Sequence, residues 1–338
     1  MSHDQDRQQR APGSDGGTRS EPRHLRTSAD LDAEEITAIL ELAGALRDER
    51  RRAVADGRPI ERDELAGRTV ALVFEKPSTR TRVSFQVAVT ELGGSALPLS
   101  ASELQLGRGE TIADTAAVLS RYVHGIVLRT FGQERLDELA DHASVPVVNA
   151  LSDLDHPCQA LADLRTLLDE FGRLDGLVLT YVGDGNNVAH ALLLMGATMG
   201  LDVRVAHPDG FAPDAAVVAE ATRRAGASGG RVTVTTDVVA AASGADALYT
   251  DVWVSMGQEG AEDRHAAFEP YRLDARLLEV AAPHAIVLHC LPAHRGEEIS
   301  AEVIDGPSSR VLDQAENRLH VQKALLIELC GRRPGGLG

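Results

Sequence analysis

The chain has 338 residues, 43% of them apolar and only eleven aromatic, enough to build two ordinary α/β domains. With 34 Lys and Arg against 51 Asp and Glu the net charge is −17, which argues against nucleic acid and anionic membranes as partners. Three scattered cysteines, Cys158, Cys290 and Cys330, exclude a disulfide framework and fit a reducing, cytoplasmic setting, and no stretch approaches the roughly 18 apolar residues of a membrane span.

The first 24 residues carry four arginines among Asp4, Asp6, Asp15 and Glu21, without an apolar run. Residues 1–26 therefore read as a disordered tail rather than a targeting peptide. From about residue 30 the chain alternates apolar runs with helical patterns. Strands are expected at 69–75, 125–130, 145–151, 177–183, 202–207, 231–236, 246–253 and 285–291. Several are nearly continuous Val, Ile and Leu, as in parallel strands covered on both faces. Between them, Phe85, Ala88, Val89 and Leu92 share one face of a helix at 79–92, and Leu161, Leu164, Leu168 and Phe171 share one at 158–171. The alternation predicts an α/β fold of two doubly wound parallel-sheet domains. Gly172 and Gly176 mark the break, giving domains at 27–168 and 169–316.

The strand at 69–75 runs into "FEKPSTRTRVSF", where Pro77 stops the strand and a helix begins. A helix start offers unpaired N–H groups and partial positive charge. Ser78, Thr79, Arg80 and Thr81 would complete an anion site there. The plain alternative is a Ser/Thr cap with a solvated arginine. No G-x-x-x-x-G-K-[ST] occurs, so a Walker loop is not expected. Arg82 and Glu91 read as ion-pair or surface residues. Arg129 ends the strand at 125–130, at the edge where such sheets bind ligands.

In "DHPCQALADL", His156 and Gln159 open a helix with hydrogen-bonding groups of both polarities. A satisfied loop histidine is the alternative, and His156 with Cys158 lacks the partners of a zinc site. "GDGNN" offers Gly183 and Gly185, but Val188 stands where a dinucleotide fingerprint needs its third glycine, and no acid follows the next strand. NAD is therefore rejected, leaving Asn186 and Asn187 at a helix start. "DVWVSMGQE" places Asp251 and Ser255 after a strand, with Gly257 for a lid. In "HCLPAHRGEEI", Cys290 is either a buried inert thiol or a site residue, and His289, Cys290 and His294 lack a regular metal spacing.

These motifs, in this order and together with "ENRLHVQKA", resemble the aspartate/ornithine carbamoyltransferase family over about residues 30–335. The H-P-C-Q, S-M-G and H-C-L-P forms resemble its ornithine branch. The resemblance implies carbamoyl transfer from carbamoyl phosphate to the δ-amine of L-ornithine, giving citrulline and phosphate in arginine metabolism. Putrescine or N-acetylornithine as acceptor, or a silent paralogue, are the alternatives. Implied for carbamoyl phosphate in the first domain are Ser78, Thr79, Arg80, Thr81, Gln105, Arg129, His156, Gln159, Cys290, Leu291 and Arg318. Implied for ornithine in the second are Asn187, Asp251, Ser255 and Met256. Arg129, His156, Thr81, Cys290 and Asp251 are the expected catalytic set. The resemblance further implies a homotrimer or multiple of trimers with sites at subunit interfaces, no metal, no cofactor, and a last helix at 317–335 packed back on the first domain.

Overall fold

The computed structural model describes residues 22–100, 109–254 and 261–332, with backbone alone at 261–263. A first parallel sheet holds β1 (Thr69–Phe74), β2 (Ser95–Ser100), β3 (Gly125–Arg129) and β4 (Val147–Leu151) in the order β2-β1-β3-β4. A second holds β5 (Val178–Val182), β6 (Asp202–Ala206), β7 (Arg231–Thr235), β8 (Ala247–Thr250) and β9 (Ile286–His289) in the order β7-β6-β5-β8-β9, also all parallel. The helices are α1 (Ala33–Ala55), α2 (Thr79–Glu91), α3 (Ile112–Tyr122), α4 (Gln133–His142), α5 (Pro157–Phe171) and α6 (Asn187–Thr198), then α7 (Ala215–Ser228), α8 (Val238–Ala242), α9 (Ala261–Phe268), α10 (Ala275–Val280), α11 (Ala301–Ile304) and α12 (Val311–Cys330).

Every strand with a continuous apolar run lies within its expected span, because burial on both faces is what such runs require. α5 ends at Gly172, whose φ of 70° is the left-handed cap that glycine adopts without penalty. The second glycine of "GDGNN" serves packing. A Cβ on Gly185 would stand 2.2 Å from the Pro213 nitrogen, so the crossing chain at 212–213 demands glycine there.

Three expectations need correction. β2, with the sequence SALPLS, was not foreseen because it is an exposed edge strand, where Pro98 costs no ladder bond and apolar patterning is not needed. Residues 22–26, assigned to a disordered tail, are packed. Leu25 is buried and forms a parallel bridge to Val148, donating to Val147 O and accepting from Asn149 N, so it covers the outer edge of β4. Residues 1–21 lie outside the described residues. α12 begins at Val311, six residues before the expected start, because Val311 and Gln314 are buried and extend the packed face of the helix back to that point. It packs against α1, α2 and α5, all elements beside the first sheet, and so returns to the first domain.

The return is tied by charge as well as apolar contact. Lys323 of α12 is 1% exposed and pairs with Glu91 at the end of α2, which also accepts from Arg50 Nε at 3.0 Å. Glu91 is thus an ion-pair residue, whereas Arg82 is exposed. Removing one partner of a buried pair leaves the other charge stranded. Glu91→Ala should therefore cost about 3–5 kcal/mol of stability, while Arg50→Ala, at the wet side of the same carboxylate, should cost about 1 kcal/mol or less. Urea unfolding measures both, and equal losses would refute the assignment.

Candidate active site

The carboxyl ends of β1, β3 and β4 face those of β5, β8 and β9 across a cleft of about 750 Å³. This is where open parallel sheets collect ligands. Ser78–Thr81, Arg129, His156, Gln159, Asn187, Asp251, Cys290, Leu291 and Arg318 all line it. Sequence reading had scattered them over 240 residues of chain; the fold brings them together. Gln105, Ser255 and Met256 lie outside the described residues.

The start of α2 is uncapped. Ser78 occupies the cap position in extended conformation, but its side chain accepts no bond from the first turn. The plain capping alternative therefore does not hold. The turn's N–H groups keep their partial positive charge, and exposed Arg80 stands beside them.

Arg318 of α12 crosses to this point, 4% exposed. Its guanidinium donates from Nη1 to Gln159 Oε1 at 2.7 Å and from Nη2 to Thr81 Oγ1 at 3.2 Å, and Nη1 lies 3.4 Å from His156 Nε2. All three partners are neutral. Arg129, 8% exposed, has a buried Nε without a partner. Among the described residues neither arginine, nor Arg80, has a carboxylate in ion-pair range. Burial, followed by the neighbouring Arg318 charge, pulls the Arg129 guanidinium down to about 10. Cations gathered without counter-charge in a chain this acidic leave room for one ligand class, a small anion of high charge density.

His156 is kept neutral. Burial first, then Arg318 and Arg129, press its imidazole well below the usual range. An arginine only donates, so Nε2 must offer its lone pair to Arg318 and the proton sits on Nδ1, which is buried and unpartnered. Pro157 in the first helical turn and the His156 carbonyl, which accepts from Gln159 N at 2.9 Å, set the ring at the start of α5. Behind it, buried Asp155 receives the Ser28 N–H at 2.6 Å and the Ser28 hydroxyl at 2.7 Å.

The opposite wall carries the second cluster. Cys290 Sγ donates to Asp251 Oδ1 at 2.8 Å, and Asn186 Nδ2 donates to Asp251 Oδ2 at 2.9 Å. Burial, then the Asp251 carboxylate, pushes the Cys290 thiol well above its ordinary range, so it is a donor and not a thiolate. Asn187 spends one amide proton on Ser152 O at 2.6 Å. Leu291 takes a φ of 56°, a left-handed setting unusual for leucine, and its N–H donates to His289 Nδ1 at 2.9 Å. His289 Nε2 in turn reaches Glu298 Oε1 at 3.1 Å.

Four supporting residues complete the site, and of these only Asn186, at a helix start, stood out in the sequence. Asn186 orients Asp251. Lys76, paired with Asp153 and 4.3 Å from the centre of the Phe131 ring, forms the rim. Asp163 and Gln314 join the two halves. Asp163 Oδ1 accepts from Gln159 Nε2 at 2.8 Å and Gln314 Nε2 at 2.6 Å, and Gln314 Oε1 accepts from His289 N at 2.9 Å. The only available hint was a polar residue on the apolar face of a helix.

Two family models match the chain in succession. The carbamoyl-P binding domain of aspartate/ornithine carbamoyltransferase matches residues 23–169, and its Asp/Orn binding domain matches 175–329. The ornithine carbamoyltransferase of Parafrankia sp. (strain EAN1pec) is 57% identical over 317 residues, covering 94% of this chain and 98% of that protein. That of Acidothermus cellulolyticus is 58% identical over 314 residues, covering 93% and 98%. The solved ornithine carbamoyltransferase of Pyrococcus furiosus is 50% identical, with a TM-score of 0.87 and coverage of 94% of this chain and 99% of that one.

The buried network has a pH signature. Burial pushes the Asp163 carboxyl from 3.8 up to about 7 against the amide bonds that favour its charge. Between those values the folded chain holds a proton that the unfolded chain has released. The Asp163 contribution to stability is thus complete below the lower value and is lost as pH rises toward the upper one. Asp163→Asn, which keeps the accepting oxygen, removes this loss. Its stability relative to the parent should rise between pH 5 and pH 8 in urea unfolding; parallel curves for the two proteins would contradict the account.

Proposed function

The chain belongs to the aspartate/ornithine carbamoyltransferase family, and from that premise and the cleft we infer that it transfers the carbamoyl group of carbamoyl phosphate to the δ-amine of L-ornithine, giving L-citrulline and phosphate. The observation that carries the reading is the pair of buried arginines without a counter-carboxylate, Arg318 on neutral partners and Arg129 with its Nε unpartnered, beside the uncapped start of α2. Ser78, Thr79, Arg80 and the first-turn N–H groups hold the phosphate, with Arg129 and Arg318 neutralising its charge. The carbamoyl oxygen receives donors from Thr81, Arg129 and the free Nδ1–H of His156. Leu291 O accepts from the carbamoyl NH2, and the unused lone pair of Gln159 Oε1 faces the same group.

Ornithine enters on the Asp251 side. Asp251 pairs with its α-ammonium and Asn187 with its α-carboxylate; Ser255 and the Met256 backbone complete this side. The δ-amine must arrive neutral, since an alkylammonium near pKa 10.4 is mostly protonated at neutral pH. Asp251 is the carboxylate nearest that task, and Cys290, which already holds its proton, orients Asp251 through its S–H. Attack on the carbonyl carbon gives a tetrahedral oxyanion facing Arg129, His156 and Thr81, and phosphate then leaves toward the arginines. Holding both reactants in one crevice supplies the entropic advantage, with no covalent enzyme intermediate. The reading carries a cytoplasmic homotrimer or a multiple of it. Exposed Val83 on α2, Leu97 on β2 and Tyr122 on α3 offer apolar surface for such contacts.

Carbamoyl phosphate offered with L-ornithine, N-acetylornithine, putrescine and L-aspartate in turn should give ureido product with ornithine alone. Arg129→Gln should lower kcat by about 100–1000-fold, the usual cost of one oxyanion donor. Product from another amine in preference to ornithine, or full activity in the variant, would overturn the assignment. Light scattering should return a mass of three subunits or a multiple of three; a monomer or dimer would remove the trimer.

A further inference from the structure

Beyond the transfer site, a second cluster lies where the loop after β9 meets α9. Glu298 is fully buried, and its Oε1 is taken by His289 Nε2 at 3.1 Å and by the His294 backbone N–H. Its Oε2 is buried too and has no hydrogen-bond partner. That oxygen lies 3.8 Å from His294 Nδ1. His294 Nδ1 is also 3.8 Å from Glu297 Oε2, and the same Glu297 oxygen is 4.0 Å from His265 Nδ1 on α9. The His265 ring is braced edge-on by Trp253, with ring centres 5.7 Å apart.

We propose that His294, Glu297, Glu298 and His265 form a binding site for a divalent transition cation of the zinc class. Two imidazoles with two carboxylates suit zinc or cobalt rather than magnesium or calcium, which take oxygen ligands. Ligand atoms at opposite corners of a tetrahedral zinc site stand about 3.3 Å apart. His294, Glu297 and Glu298 are within 4.8 Å of one another, so closure of these three needs movements of about half an ångström to an ångström and a half, and His265, 4.0 Å from Glu297 Oε2, would swing in as the fourth ligand. The orphaned Glu298 oxygen gives the cation its strongest anchor, because a buried carboxylate oxygen without a donor is costly to keep. The supporting hydrogen bonds are already in place: Glu298 orients His289, whose other nitrogen accepts from Leu291 N–H in the transfer site.

A competing thiol-bearing cluster, Asp251 with His289 and Cys290, lies within the transfer site and must be separated. The full-length chain, freed of metal by chelator and dialysis, is titrated with zinc chloride by calorimetry as three proteins: parent, Cys290→Ser, and Cys290→Ser with His294→Ala. The single variant should bind one zinc per subunit, and the double variant should bind it at least about tenfold more weakly. Cobalt bound to the single variant should show tetrahedral d–d bands and no thiolate charge-transfer band. His265→Ala, also at an exposed side chain, should weaken zinc in the same background. Absence of zinc binding in the single variant, or equal affinity in single and double variants, refutes the site. Neither result depends on the identity of the amine acceptor, so failure here leaves the transfer reading standing.

Discussion

The structure depends on one guanidinium carried a long way. Arg318 belongs to the last helix, yet its partners are Thr81 at the start of α2 and His156 and Gln159 at the start of α5. A buried arginine offers five donors in a rigid fork and cannot shed its charge, so it must find acceptors or an anion. Here it finds three neutral acceptors. They fix the geometry without cancelling the charge, which stays available to a ligand. The position of α12 thereby becomes a condition of chemistry. The Lys323–Glu91 pair and the apolar seam against α1, α2 and α5 are what hold the fork in place.

A second consequence is electrical. The chain carries −17 overall, and many of its described arginines pair with carboxylates such as Glu220, Glu170 and Asp305. The cleft reverses that rule. Carboxylates near Arg318 are either held partly protonated, as with Asp163 pushed up to about 7, or occupied elsewhere, as with Asp251 under Asn186 and Cys290. A positive pocket in a negative molecule draws a small dianion while repelling polyanions only at the outer surface.

Much of this was legible in residue order alone. Apolar runs marked eight of the nine strands among the described residues, several of them nearly continuous Val, Ile and Leu because double-sided burial leaves a local trace. The anion site was legible because a strand, a proline and a run of hydroxyls with arginine are contiguous. What stayed hidden has no local trace. Pro98 in β2 argues against a strand unless the edge position is known. Leu25 looks like part of a polar tail until Val148 is beside it. Asp163 and Gln314 are 151 positions apart and read as ordinary helix polars until Gln159 and Tyr249 close on them. Asn186 was legible as a helix cap but not as the brace of Asp251, since that role needs β8 adjacent to β5.

Leu25 and Ser28 lie a few residues apart but serve different masters. One seals a sheet margin against Val148; the other grips Asp155, the immediate neighbour of the neutral imidazole. Four residues of chain, 25–28, thus couple the outer edge of the first sheet to the neighbour of the His156 imidazole. A disturbance that peels this short ribbon loose would therefore strip Asp155 of its Ser28 donors as well as open the sheet margin, so the alignment of His156 and the cohesion of the first domain share one short stretch of chain.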